Sequence, residues 1–509
     1  MLAIINSTAL HGLEGHIVRV EVDVANGLPC FDLVGLPDTA VRESRDRVRA
    51  AVKNAGFKFP VKRITVNLAP ADLKKEGPMY DLAIAVGVLT ATGQFDPDVC
   101  AGYVFIGELS LNGDVRSVAG VLPNVLAAVE HDFTSVVVPA ENAGEAGLVK
   151  TARVFPVSSL NQLSNFLTGQ EDIPPYTATL EATTHDGKEC PPDFSEVKGQ
   201  FAARRALEVA AAGGHNFLMM GSPGSGKTLL ARCMPGIMPD LTFEEALETT
   251  KIYSLAGLLK PGQSMVSVRP FRAPHHSASS VALVGGGKYP RPGEISLAHN
   301  GILFLDEMPE FPKNALEALR QPLEDGTVTI SRVNASISYP ARLMLAGSCN
   351  PCPCGYYGDS VKECSCTPMQ IQRYIGRISG PMLDRIDIVI DVPRVTFEEM
   401  AEKQPAESSA AIKKRVEAAR TLQRERFRGT DIYCNAMMSG ARVKKYCNLT
   451  QDARELLRSV FKQLKLSARS HDRILKVART VADLAGSERV EAAHLGEAVQ
   501  YRREKQGVS

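Results

Sequence analysis

The sequence predicts an α/β fold: a parallel sheet carrying a phosphate-binding loop, with a mixed α+β unit before it and a helical region after it. Three observations predict this. Gly221, Ser222, Pro223, Gly224, Ser225, Gly226, Lys227 and Thr228 fill the pattern G-x-x-x-x-G-K-[ST], between an apolar run at 217–220 that reads as a strand and residues 229–232 that open a helix. The apolar run 301–305 ends in Asp306 and Glu307, and a further run at 343–349 ends in Asn350. Three such strands place their polar termini at the carboxyl edge of one sheet, where open α/β sheets bind ligands.

The chemistry of these residue types follows from that edge. Glycines let backbone N–H groups turn inward around phosphates at a helix N-terminus, Lys227 adds a point charge and Thr228 a ligand for Mg²⁺. Asp306 is placed to hold Mg²⁺ through water, Glu307 to orient and deprotonate an attacking water, and Asn350 to sense the γ-phosphate of ATP.

At 509 residues and about 150 per domain, roughly three domains are expected. A hydrophobic share of 44% against 23% charged residues is that of a globular chain with ample core. Lys+Arg 58 against Asp+Glu 57 leaves a net charge of +1, so any nucleic-acid surface must be local. No cationic leader precedes an apolar core, and no run approaches the ~18 apolar residues of a membrane span, so a cytoplasmic protein without membrane contact is expected. Eleven cysteines, five of them between Cys349 and Cys366, then suggest metal rather than disulfides.

In chain order, residues 1–168 read as an α+β unit. Residues 17–24 alternate as a half-buried strand, 42–55 have helical spacing, 64–68 form a strand, 81–90 a buried helix and 135–139 a closing strand. Residues 169–193 are turn-rich and aperiodic, a linker. The ATPase core is expected over 194–396, and 397–509 is charged and helical, near 411–427, 450–464, 470–484 and 490–501. Within the core, residues 328–339 alternate on both sides of a polar centre, as a β-hairpin does.

Cys352, Cys354, Cys364 and Cys366 form two C-x-C pairs on a short loop, a set able to hold structural Zn²⁺, with unligated thiols as the alternative. His275 and His276 read as loop-fixing donors near the nucleotide. The run Lys413, Lys414, Arg415, Arg420, Arg424, Arg426 and Arg428 makes a basic helical face, solvated or bound to DNA.

Resemblances sharpen this reading. Lys75-Glu76-Gly77-Pro78, Gly107-Glu108-Leu109-Ser110 and Val136-Val137-Val138-Pro139 resemble the proteolytic domain of the Lon family, but Met79 and Leu122 stand where its serine and lysine belong. Neither side chain serves as nucleophile or base, so the resemblance implies a Lon-protease-like fold without protease chemistry. The approach 194–200 is similar to that of an AAA+ module. Pro270–His276, residues 285–299, 319–324 and 379–387 resemble the Mg-chelatase-like AAA+ group, and the combination resembles the ComM/YifB family along nearly the whole chain.

That family implies a homo-oligomer, a hexamer, that uses ATP and Mg²⁺ to drive branch migration on single-stranded or branched DNA during natural transformation. The alternative is a chelatase-like or protein-remodelling motor that ignores DNA. By resemblance, Arg385 is the arginine finger toward a neighbouring subunit, with Arg377 and Arg373 as alternatives. Arg469, just before a lid helix, is the second sensor, with Arg473 as its rival. The hairpin reaches the pore and Arg332 is its candidate DNA-phosphate contact, while residues 251–272 are a second pore-loop candidate.

Overall fold

The structure is a computed structural model of the chain, and it describes residues 1–178, 191–260, 262–287, 291–332, 335–359, 361–396, 399, 406–463 and 467–502. The chain divides into two compact units, Met1–Thr184 with Thr242–Ser267, and His185–Leu241 with Val268–Ser509.

The first unit is built on a seven-stranded sheet. Its strands are β1 (Leu2–His11), β2 (Glu14–Ala25), β3 (Cys30–Val34), β4 (Arg63–Ala69), β5 (Val104–Phe105), β6 (Ser135–Pro139) and β7 (Arg153–Val157), in the order β3-β4-β2-β1-β5-β6-β7. Strand β2 alternates as expected, with Val18, Val20 and Val22 fully buried. Helix α1 (Thr39–Asn54) is capped by Asp38, whose carboxylate accepts from the Val41 amide. Helix α2 (Asp81–Ala91) is buried along its whole length, which is why it shows no amphipathic pattern. Its one acid, Asp81, is paired with Arg47 at 2.6 Å.

Met79 is buried, and so is Leu122 in helix α3 (Val121–Glu130). The Asn124 side-chain amide points at the Met79 sulfur at 4.0 Å, and neither Met79 nor Leu122 offers a nucleophile or a base.

Thr242–Ser267 departs from the sequence reading. Its helix, Phe243–Ala256, opens with a capping box of Thr242 and Glu245. It packs on α3, and the Gly120 amide donates to the Ser254 carbonyl at 2.9 Å. Leu247 and Met265 pack against the core of the first unit. The helical part of the 251–272 stretch is therefore taken up in this packing and not free as a pore loop, while Gly257, Leu258 and Lys260 beyond it are exposed.

The second unit carries a parallel sheet of β8 (Phe217–Met220), β9 (Phe271–Arg272), β10 (Ile302–Leu305), β13 (Met344–Cys349) and β14 (Ile388–Asp391), in the order β9-β10-β13-β8-β14. Between β10 and β13 lies the expected hairpin, β11 (Thr327–Arg332) paired with β12 (Ala335–Pro340). Val328 opposes Tyr339 and Ile330 opposes Ile337, and all four are buried, so one face of the ribbon is packed. Arg332 pairs through its backbone with Ala335 beside the turn. Its side chain lies outside the described residues, as do Val333 and Asn334.

The C-terminal helices share one core with this sheet rather than forming a separate unit. Ser409–Arg426 packs on Phe201–Gly213 and on the helix after the phosphate loop, and Ala468–Leu484 also packs on Phe201–Gly213. A buried polar chain ties them together. His215 bridges Asp387 at 2.9 Å and Thr480 at 2.8 Å, Asn435 reaches Thr480 and Asp483, and Asp483 pairs with Arg426 and Arg479. Buried charges persist where they are paired in this way.

Candidate nucleotide site

Register decides what meets at the carboxyl edge of the second sheet. Met220 is level with Cys349, and Leu305 with Gly347, so Gly221 emerges beside Asn350 and Asp306 beside Ser348. The phosphate loop then turns through Gly224 and Gly226, both at positive φ, into the helix Lys227–Ile237. Gln200 anchors the loop from outside, donating to the carbonyls of Ser225 at 3.3 Å and Pro393.

Lys227 is buried and donates to the Gly221 carbonyl at 2.7 Å, the Ser222 carbonyl at 3.0 Å and Asn350 Oδ1 at 3.3 Å. Burial pushes its ammonium below the usual lysine range, and Cys349, Asp306 and Glu307 oppose that shift. Thr228 Oγ1 donates to Asp306 Oδ2 at 2.9 Å. These contacts bear on whether ATP and Mg²⁺ fit. A buried ammonium whose hydrogen bonds among the described residues go to carbonyl and amide oxygens suits an anionic ligand, and a hydroxyl against a carboxylate is the donor pair a hard cation takes. The residues fit both groups.

Glu307 sits just past the strand in the left-handed region, φ 51°, and is half exposed, with His276 Nδ1 at 3.8 Å. A non-glycine residue held there is strained, and such strain collects at functional sites. Ser348, which sequence reasoning missed, holds it. Its hydroxyl accepts from the Glu307 amide at 3.0 Å and donates to Asp306 Oδ1. One side chain thus fixes both acids. The available signal was register: Ser348 lies two residues before Asn350, on the same face of the strand. His275 bonds Ser277 at 2.8 Å and lies against His276, consistent with two histidines fixing this loop.

The candidate arginines fall elsewhere. Arg385 is largely buried, bonded to the carbonyls of Arg320 at 3.1 Å and Pro381 at 2.7 Å and paired with Glu324. Arg377 pairs with Glu310 at 2.8 Å. Arg373, exposed in the helix Pro368–Ile375, has no such bond among the described residues. Arg469 does not precede its helix, because Ser467 caps a helix that already begins at Ala468. Arg469 is exposed, 4.0 Å from Asp384, while Arg473 is largely covered, 3.5 Å from Asp384 and 3.8 Å from Asp387. In the basic helical run, Arg415 pairs with Glu208 and Glu407, and Arg426 with Asp483, so those charges hold helices together.

Cys352, Cys354, Cys364 and Cys366 converge, with all four sulfurs within 4.8 Å of one another.

Three sequence families match the chain. The family described as magnesium chelatase, subunit ChlI, matches residues 193–400, subunit ChlI of Mg-chelatase matches 20–142, and the ChlI C-terminal family matches 406–502. Competence protein ComM of Haemophilus influenzae is 44% identical, over 98% of this chain and 97% of its own length. The chain belongs to the ComM/YifB family. YifB of Escherichia coli is 43% identical, over 98% of this chain and 97% of its own. Lon protease 2 of Bacillus subtilis is 26% identical over 28% of each chain, in keeping with the Lon-like reading. The fold is that of an AAA+ module of the Mg-chelatase type with an additional N-terminal domain, and the family implies ATP and Mg²⁺. No described helix is long and apolar enough to cross a membrane.

Proposed function

We propose that this chain assembles into a ring, a hexamer, and couples ATP hydrolysis to movement on DNA and branch migration during natural transformation. Glu307 is the base that deprotonates the attacking water, Lys227 and the loop amides bind the phosphates, and Thr228 and Asp306 hold Mg²⁺, which neutralises charge on the phosphates. Asn350, bonded to Lys227, reports on the γ-phosphate. Arg385, or alternatively Arg377 or the exposed Arg373, reaches a neighbouring subunit, and Arg469 or Arg473 serves as second sensor. The thiol cluster holds Zn²⁺. The N-terminal unit acts in binding or assembly and not as a protease.

The observation that carries the DNA reading is the near end-to-end likeness to a protein named for competence. The hairpin β11–β12 supports it, because its packed face fixes the ribbon while Arg332 stands beside the turn. A chelatase-like motor acting on a protein is the second reading, favoured by the descriptions of the families matched at 193–400 and 406–502. ATPase rates with and without single-stranded and branched DNA, together with electron microscopy of the rings, test the choice. Stimulation by DNA is the expected result. Rings whose turnover ignores every DNA structure would overturn the DNA reading in favour of the second.

A further inference from the structure

The chain between β13 and the helix Pro368–Ile375 has no strand or helix among its described residues, yet it touches the phosphate loop from several directions. At its root, Asn350 accepts from Lys227 at 3.3 Å. Further on, Gly355 lies flat against Pro223: a Cβ there would stand 2.6 Å from the proline ring, and its φ of +86° suits glycine alone. Asp359 follows. Its carboxylate accepts from the amides of Val361 at 2.8 Å and Lys362 at 3.0 Å, stands 3.1 Å from Arg394, and is held down to about 2 chiefly by the Ser222 hydroxyl beside it. Pro223 and Ser222 belong to the phosphate loop, and Lys227 is its lysine.

What keeps this stretch in place is not a core. Its exposed side chains include Tyr357 and Val361. Tyr356 lies under Lys362 at 4.3 Å and Arg394 at 5.6 Å, Asp359 holds its own turn, and the thiols add a further closure. Cys352 Sγ lies 3.3 Å from Cys354 Sγ and 3.7 Å from Cys364 Sγ, and Cys354 Sγ lies 3.6 Å from Cys364 Sγ. Zn–S bonds of about 2.3 Å put the sulfurs of a tetrahedral site about 3.8 Å apart, so these thiols already have nearly the spacing of a zinc site. The Cys366 amide points at Cys364 Sγ at 3.4 Å, the kind of N–H contact that steadies a thiolate ligand.

We propose that Cys352, Cys354, Cys364 and Cys366 bind one Zn²⁺ and that this metal fixes the phosphate loop through Gly355 and Asn350, making ATP affinity depend on zinc occupancy. The proposal rests on the reading of the cluster as a zinc site and of the loop as an ATP site, and not on DNA. Metal binding that orders a coreless loop does so by closing it, as structural zinc does in small domains. Releasing the metal restores that freedom and withdraws the wall against Pro223, so the loop loses its preformed shape for phosphate.

The test uses the full chain and a non-hydrolysable ATP analogue with Mg²⁺. Metal analysis is expected to find about one zinc per chain, and Co²⁺ substitution to give the visible bands of a tetrahedral thiolate site. Stripping with a zinc-selective chelator, then returning to Mg²⁺ buffer, should weaken analogue binding about tenfold or more, and Zn²⁺ should restore it. A chain that carries no zinc and takes up none overturns the metal site. Zinc present, with equal affinity before and after stripping, overturns the coupling alone. Should stripping unfold the chain, Gly355→Ala decides, since it keeps all four ligands but cannot rest on Pro223. That variant should retain zinc and bind the analogue weakly, and tight binding with zinc retained overturns the coupling.

Discussion

Replacing Ser348 by Ala tests how the two carboxylates are held. The hydroxyl makes two bonds, one accepted from the Glu307 amide at 3.0 Å and one given to Asp306. Its removal leaves a small space in a fully buried strand, so the fold should survive, but the strained Glu307 backbone at φ 51° loses its tether. A hydrogen bond to a charged group contributes about 1.5–3 kcal/mol. If that amount is lost from the transition state, turnover falls roughly 10- to 150-fold. The assay is steady-state ATP hydrolysis, with binding of a non-hydrolysable analogue measured alongside and thermal unfolding as the control for folding. A folded Ser348→Ala protein whose kcat stays within about threefold of the unmodified chain would refute the assignment of Ser348 as the residue that positions the site.

Three further outcomes are expected. Glu307→Gln should bind Mg-ATP normally but hydrolyse it very slowly, since Lys227, Thr228 and Asp306 are intact while the base is gone, and near-normal turnover would remove Glu307 from that role. Arg385→Ala should abolish hydrolysis and spare binding, and mixing it with Lys227→Ala subunits should rescue some activity if the residue acts across an interface. Verified mixed rings without rescue would return Arg385 to the structural part that its bonds to Glu324 and two carbonyls suggest. Arg332→Ala should leave basal ATPase nearly unchanged, reduce DNA stimulation and branch migration together, and flatten the salt dependence of DNA binding by about 0.7–0.9 for each DNA phosphate that is no longer neutralised. Unaltered stimulation, migration and salt slope would detach the hairpin from DNA.

The parts of the site legible in the sequence are those where chemistry and local pattern coincide. A complete phosphate loop between strand and helix, two acids ending an apolar run and an alternating hairpin each carry their own context, and each stands where that context put it. Ser348 was not legible because a small hydroxyl inside an apolar run looks like tolerated polarity until the register of β10 against β13 sets it beside Asp306. Arg385 shows the opposite difficulty. Its charge is plain in the sequence, but its partner Glu324 lies far earlier in the chain, and only packing unites them. The helix Phe243–Ala256 buries Thr249, Thr250 and Ser254 beside Ala246 and Ile252, so no apolar stripe marks its packed face, and nothing local says that it packs in the first unit.

That helix also sets an order of events during synthesis. Residues up to Thr184 leave the ribosome first, but the first unit is not complete until Ser267 has followed, after the phosphate loop and its helix have been made. Until then the surface that later receives Leu247 and Met265 stays open to water or to a chaperone. A fragment ending near residue 168 should be poorly soluble on its own, and supplying residues 242–267 as a separate peptide should rescue it. The two units cannot be severed at a single peptide bond, because the chain passes between them three times.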